Sequence, residues 1–499
     1  MAKVIIIGGG LGGLTAGNWL VQRGHAAVIF ESQGSPGGYV AGFRRKGFYF
    51  ESGTLAFENA RQVFGLMERF GVRGKVSFVR KRTRFVSREM DTGDSGTFES
   101  FRDAFLRAFP DDRVVLQDYF REVGRMYRAM RPFMAERSPT LLQVLWGGLT
   151  MPGAYAKYRK VTLSEFTGRF FRRGTRLFQV FKSFGYPDMA SYILGGAMAT
   201  IFDGYWAVVG GMQSWADALA ERFTALGGEL RLHSKVDRII TENGAAVGVV
   251  CGGAEHRGDA VISAADYKKT FLNLLDDPSL LPPEFADRVR WARVSEGMCT
   301  AYLGLNLSNE QLRRYMRLPS VMFLDDAVGL EPDAGDPRYF EKAGIGLYAP
   351  SLYNETLAPE GKSSLMLQAV CPTHWMDNWG GGDRAKYTAL KESVIRTFVA
   401  KASFVVPGLA RHIEFADLAT PLTYERYTGN SDGATSAWSW NPKNKYYDSF
   451  MDTYVTTPVR NLYIGSCWST QIGGIPGALS GGLNAAKRAV RRWARTEGA

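Results

Sequence analysis

The stretch that decides the fold is "KVIIIGGGLGGLTAGNWLVQRGHAAVIFE", residues 3–31. "KVIII" is a short, continuous, β-branched run, the pattern of a strand buried on both faces of a parallel sheet. Five glycines follow within six positions. Each costs more backbone entropy on folding than any other residue, so something must require them. Gly8, Gly10 and Gly13 stand in G-x-G-x-x-G spacing. The first serves a tight turn, the second lets a pyrophosphate approach the backbone, and the third lets helix pack on strand. "LTAGNWLVQRG" reads as a helix whose amide dipole points at the phosphates, ending at Gly24. "AAVIFE" is the second strand, with Glu31 at its tip, 21 residues after Gly10. A carboxylate there would accept hydrogen bonds from an adenosine ribose. Strand, helix and acid together predict a dinucleotide cradle at Gly8, Gly10, Leu11, Gly12, Gly13 and Glu31.

The rest of the composition narrows the class. With 499 residues, 45% hydrophobic and 22% charged, the chain holds enough core for about two or three domains. Cys251, Cys299, Cys371 and Cys467 are scattered without a CxxC pair, and none of the five histidines has a metal-ligand spacing. A metal site and a disulfide framework are therefore not expected. The glycine motif begins after "MAKV", and the weakly charged runs near 138–156 and 189–202 fall short of a membrane span. The expectation is a cytoplasmic protein, peripheral on the membrane. Net charge is +12, and residues 101–185 carry sixteen Lys and Arg against seven Asp and Glu. The same segment holds aromatics that look exposed, as in "RFFRRGTRLFQVFKSFGY" (169–186), which suits an anionic membrane surface. A solvated helical face is the plainer alternative. No nucleic-acid motif is present, so a nucleic-acid partner is not expected.

An NAD domain would continue as alternating strands and helices. This chain gives instead "GSPGGYVAGFRRKGFYFESGT" (34–54), with a glycine pair, a basic patch and a short aromatic strand. A long basic helical segment follows. Sheet-forming sequence returns near residue 208, with a helix over about 212–226, two strands flanking Asn243-Gly244, and a buried strand in "DAVISAA" (259–265). The chain resembles the FAD-dependent phytoene desaturase, carotenoid isomerase and retinol saturase superfamily, itself related to the amine oxidases. The resemblance rests on the blocks above, on "LYNETLAPEGKSSLMLQAVCP" (352–372), and on "NLYIGSCWSTQIGGIPGALSGGLNAA" (461–486). Residues 100–200 match least.

The resemblance implies a Rossmann-type α/β FAD-binding domain, a parallel sheet with helices, assembled from residues 1–80, 206–270 and 421–499. A helical, basic, membrane-facing segment (81–205) and an antiparallel substrate-domain sheet (271–420) would complete the fold. It implies that backbone near Val236 holds the adenine and that Gly37 and Gly38 sit on the flavin side. The Glu51-Ser52-Gly53 turn would line the ring pocket, where relatives more often carry Asp. Tyr39 stands where Arg is common, and Arg44, Arg45 or Lys46 are offered as substitutes. In the last block, a strand ends at Gly465 and Ser466, and a helix begins near Gly474, Ile475 and Pro476. Free amides at its start would face the pyrimidine end of the flavin. Gly473, Gly474 and Gly477 leave that approach open. Cys467 does not match a covalent flavin attachment site, so FAD is expected to be noncovalent.

Flavin chemistry needs orientation and at most a proton carrier, which explains the lack of any nucleophile–His–acid set. Strand-like "TAYLGLNL" (300–307), "GIGLYAP" (344–350) and "SSLMLQAV" (363–370) would roof the flavin, and aromatics such as those in "SAWSWNPKNKYY" (436–447) would line an apolar tunnel. Glu425, Arg426 and Tyr427 are weak candidates for proton transfer, with a surface salt bridge as the alternative. The function expected is desaturation or saturation of an apolar, polyene or isoprenoid lipid by hydride transfer at flavin N5. A redox-neutral isomerase, an amine oxidase and a non-catalytic FAD- or lipid-binding protein remain open at this point.

Overall fold

The computed structural model describes residues 1–94, 96–134, 152–182, 184–186, 188–324, 335–372, 374–443, 453–471 and 473–491. Most of the run at 138–156 and the end of the aromatic stretch 436–447 lie outside them.

The run Lys3–Ile7 is the middle strand of a five-stranded parallel sheet. Its neighbours are Ala26–Phe30 on one side and Ala260–Ser263 on the other, with Glu229–Arg231 and Leu462–Ile464 at the edges. Both faces are covered, which is why four of its five residues are buried. The helix Leu11–Val21 crosses between the first two strands and is buried from Leu11 to Leu20. Such depth requires small residues where other backbone comes close. A Cβ at Gly12 would stand 2.1 Å from the Gly465 carbonyl oxygen, and one at Gly482 would stand 2.1 Å from that of Gly12. The first helix and the helix Gly474–Ala489 therefore touch backbone to backbone. The helix Met212–Ala225 closes the same core with Trp215 and Phe223.

Two further sheets build outward. Val236–Glu242, Ala245–Cys251 and Ala254–Arg257 form an antiparallel meander. A six-stranded sheet runs in the order Ile413–Ala419, Gly297–Leu305, Ser363–Cys371, Ile345–Tyr348, Ser320–Phe323, Thr83–Val86. Its first five strands are antiparallel, as expected. The sixth comes from the stretch expected to be helical and pairs in parallel with Ser320–Phe323. "TRFV" is short and flanked by cations, so no alternation marked it as a strand.

The helices of that stretch (Phe98–Ala108, Arg113–Met134, Leu163–Thr167, Arg176–Lys182 and Ile193–Ala199) surround an aromatic core. Here one expectation is corrected. Phe171, Phe178, Phe181 and Phe184 are buried in that core and are not available to a membrane. Burying a phenylalanine is worth roughly 1.5–3 kcal/mol, so a core that can enclose these rings takes them from the surface. Arg169, Arg172 and Arg173 stay exposed. Among the described residues no helix is long and apolar enough to cross a membrane, and no cluster could hold a metal ion.

Candidate functional site

The glycine cradle is built where the first strand meets the first helix. Gly8 turns at φ +99°, which only glycine adopts without strain, and its N–H donates to the Phe30 carbonyl at 2.8 Å. Gly10 precedes the helix at φ −71°, so its backbone would accept any residue. A Cβ on Gly10 meets nothing closer than the Gly37 carbonyl at 3.9 Å. The position is small because the space in front of it is kept clear. Beyond it lie the first-turn amides of an eleven-residue helix, which have no intrahelical partners. Gly13 packs on the turn itself, since its Cβ would stand 2.0 Å from the Gly8 carbonyl oxygen.

Glu31 is buried at the strand tip. Its carboxylate accepts from the Gly9 N–H at 2.7 Å, the Gln33 N–H at 2.8 Å and the Ser32 hydroxyl at 3.2 Å. It clamps the glycine loop and still has lone-pair capacity for a further donor. The segment leading to Val236 lies alongside, with the Ser234 N–H donating to the Glu31 carbonyl at 2.7 Å and the His233 N–H to that of Gln33 at 3.0 Å. The glycine pair joins the same site. The Gly37 N–H donates to the Gly9 carbonyl at 2.9 Å, and a Cβ on Gly38 would lie 3.5 Å from the Gly10 Cα. Tyr39 donates to the Ala434 carbonyl at 2.9 Å and stacks on Tyr424 at 5.8 Å. Gly53 lies against its ring, where a Cβ would come within 2.4 Å.

Several residues face differently from the expectation. Glu51 is fully buried and points at the start of the Met212–Ala225 helix. It accepts from the Tyr49 hydroxyl at 2.8 Å and the Met212 N–H at 3.0 Å. Burial raises its pKa to about 8 although both bonds favour the charged form. Arg44, Arg45 and Lys46 are exposed on the hairpin Gly42–Arg45/Phe48–Glu51, and Arg44 donates to the Gly47 and Thr356 carbonyls. Glu425 pairs with Lys269 at 2.9 Å, both partly exposed, while Arg426 and Tyr427 are exposed. Glu425, Arg426 and Tyr427 all lie on the helix Pro421–Thr428, on which Tyr424 is buried and its hydroxyl bonds that of Thr300 at 2.7 Å.

At the carboxyl end of the sheet, the Gly465 N–H donates to the Ser263 carbonyl at 2.7 Å and the Ser466 hydroxyl to that of Ala265 at 3.3 Å. The last helix opens on Gly474 at φ +69°, with Ile475 buried and Pro476 in its first turn. A Cβ on Gly474 would meet the Glu58 Oε1 at 3.1 Å. Beside it Gln471, 1% exposed, has both amide atoms unpaired. Burial pushes the Cys467 thiol up to about 12, which disfavours its thiolate. The open cradle at Gly10, the free first-turn amides and the orphaned Gln471 amide fit FAD.

Sequence reading missed Gln471, Tyr424, Glu58 and Lys81. Burial raises Glu58 to about 7 and lowers Lys81 to about 7. Lys81 sits in the basic run "RKRTR" (80–84), which reads as a solvated face.

Comparison with known proteins agrees with this geometry. Residues 11–295, more than half the chain, match the family described as flavin containing amine oxidoreductase. The 4,4'-diapophytoene desaturase (4,4'-diapolycopene-forming) of Methylomonas sp is 26% identical over 89% of this chain and 88% of its own. The chloroplastic prolycopene isomerase of Daucus carota is 23% identical over 86% of this chain and 71% of its own. Among solved structures, wild-type putrescine oxidase bound to putrescine superposes with a TM-score of 0.66 over 98% of this chain and 99% of that one, at 16% identity, a likeness of fold. A chain that builds this cradle and matches that family over residues 11–295 belongs to the flavin-containing amine oxidoreductases, and is an FAD-dependent oxidoreductase.

Proposed function

We propose that this flavoenzyme desaturates or saturates carbon–carbon bonds of an apolar polyene or isoprenoid lipid. The observation that carries the reading is the likeness to the Methylomonas desaturase, which runs through 89% of the chain and so includes the half outside the cradle. FAD supplies the hydride acceptor or donor. The residues assigned to it are the cradle from Gly8 to Gly13 with Glu31, Gly37 to Tyr39 with Gly53, Val236, and the pairs Gly465–Ser466 and Gly474–Pro476. The domain division 1–80, 206–270 and 421–499 for FAD, with 81–205 and 271–420 for substrate, belongs to the same proposal.

The interior supports an apolar substrate over a cationic amine. Glu58 and Glu296 are each raised to about 7 by burial, so neither offers a firm negative charge, and Lys81 adds a cation when protonated. Isomerisation on reduced FAD is the second reading, favoured by the likeness to the carrot isomerase.

The purified protein is expected to show the visible flavin bands, and denaturation followed by filtration should release free FAD. Anaerobic mixing with liposomes carrying 4,4'-diapophytoene should bleach the visible band. For a saturase, photoreduced protein should regain it with a polyene. Peroxide release on adding putrescine, with no response to any polyene, would restore the amine oxidase. We also propose peripheral attachment to anionic membranes through the exposed Arg169, Arg172 and Arg173. Co-sedimentation with anionic liposomes should fall at least several-fold in the triple glutamine variant and in raised salt. Equal binding to neutral liposomes would overturn it.

A further inference from the structure

Three short backbone segments meet beside the start of the last helix. Phe57 and Trp206 exchange both backbone hydrogen bonds, at 2.8 and 2.9 Å, and Arg80 pairs with Trp206 on the other side. The next residues along each segment, Glu58, Tyr205 and Lys81, therefore lie side by side, with Lys81 donating its N–H to the Tyr205 carbonyl at 2.8 Å. Side chains alternate across such a patch, so these three share one face, with neighbouring Cβ atoms about 4.5–5.5 Å apart. The opposite face carries Phe57 and Trp206 into the aromatic core, with Phe57 5.3 Å from Trp215 and Trp206 5.3 Å from Phe64.

The shared face is directed inward. The Lys81 Nζ stands 4.7 Å over the Tyr205 ring and 3.4 Å from the Thr83 hydroxyl. The Glu58 Oε1 lies 3.1 Å from where a Gly474 Cβ would be, at the first residue of the helix assigned to the flavin. Glu58 and Tyr205 are both deep enough for burial to dominate their titration, yet neither is fully covered by protein. Partial exposure beside buried neighbours fits a face that borders an interior space next to the start of that helix. The other titratable groups around it include Tyr186, whose hydroxyl bonds Ser436 at 2.7 Å, Glu296, Tyr353 and Tyr348. Arg80 points to the far side and donates to the Phe202 carbonyl.

We propose that Lys81 and Glu58, on either side of Tyr205, carry the proton that accompanies hydride transfer. This rests on the carbon–carbon reading above. Bound FAD would supply the hydride acceptor for one carbon of the substrate, and desaturation then leaves a proton to be taken from the neighbouring carbon. The neutral Lys81 amine takes that proton and becomes an ammonium, and the Glu58 carboxylate receives it next. The C–C bond keeps the electron pair as the new double bond. Saturation runs the same steps in reverse. Burial poises both groups about neutrality, so acid and base forms coexist in the working range.

Two measurements on the holoenzyme test this. In pH-difference infrared spectra, wild type minus Glu58→Gln should show one protonated carboxyl band that vanishes with a midpoint near 7. A midpoint in the ordinary carboxylate range would overturn the proposal whatever the substrate. In anaerobic single turnover with 4,4'-diapophytoene liposomes, Lys81→Met should slow bleaching by about a hundredfold or more, and Glu58→Gln should remove the inflection near neutrality. FAD affinity in both variants should stay within about threefold of wild type. Variants that keep the wild-type rate and profile would overturn the pair's role. A wild type that no polyene bleaches would instead overturn the substrate reading, leaving the infrared midpoint to decide the poise of Glu58.

Discussion

Gly10→Ala should fold as the wild type does and lose FAD, whereas Gly482→Ala should fail to fold well with or without it. The two glycines look alike in the sequence, and their surroundings separate them. At Gly10 the backbone angles suit any residue and the added methyl meets only empty space. Removing glycine before a helix costs the apoprotein about 1 kcal/mol at most. The same methyl occupies the approach of the pyrophosphate, so FAD affinity should fall at least about a hundredfold, roughly 2.7 kcal/mol. At Gly482 the methyl would stand 2.1 Å from the Gly12 carbonyl oxygen and 2.9 Å from its carbon, both backbone atoms in a buried helix. No rotamer relieves that, and about 3 kcal/mol of stability should be lost. Thermal unfolding of the apoproteins and fluorescence titration with FAD separate the cases. A Gly10→Ala protein that binds FAD normally would move the phosphates elsewhere.

Glu51→Gln should reverse part of the protein's pH dependence. The native pKa of about 8 lies above the 4.5 usual for a glutamate in water. Between these values the folded chain holds a proton that the unfolded chain has released, so stability falls as pH rises through that window. Glutamine carries no such proton and keeps an acceptor for the Met212 N–H. The stability of Glu51→Gln relative to wild type should therefore grow by up to about 1.4 kcal/mol per pH unit between about pH 5 and 8. Glu58 and Glu296 act with the same sign below about 7. Lys81, lowered from 10.5 to about 7, acts with the opposite sign above it. All three are common to both proteins and cancel in the difference. Denaturant unfolding across the pH series is the measurement, and parallel curves would place the charged carboxylate in the fold after all.

What the sequence made legible follows from how locally each feature is encoded. The apolar run 3–7, the glycine spacing and the acid at 31 lie within a few turns of chain, and each reports its own geometry. The three antiparallel strands at 297–305, 345–348 and 363–371 were readable for the same reason. Glu58 and Lys81 were not. Each becomes distinctive only when Tyr205, distant in sequence, is placed between them. Lys81 was further hidden by the cations around it, because a charge run carries no mark of the one member turned inward. The phenylalanines at 171–184 misled in the opposite sense. Their arginine neighbours suggested exposure, but Phe178 and Phe181 on the helix Arg176–Lys182, and Phe171 and Phe184 flanking it, pack inward, while Arg169, Arg172 and Arg173 stay out on the turn that precedes it.

The backbone contact between Gly12 and the helix at Gly474–Ala489 also has a consequence for biosynthesis. The cradle is written around residues 8–13, yet the strand and helix that close it come more than four hundred residues later in the chain and are synthesised after it. At about 5–20 residues per second, the amino-terminal unit waits tens of seconds with the partner surface of its first helix uncovered. Loading of FAD thus belongs to the end of synthesis, and a nascent chain stalled before residue 460 would be one for chaperones to hold.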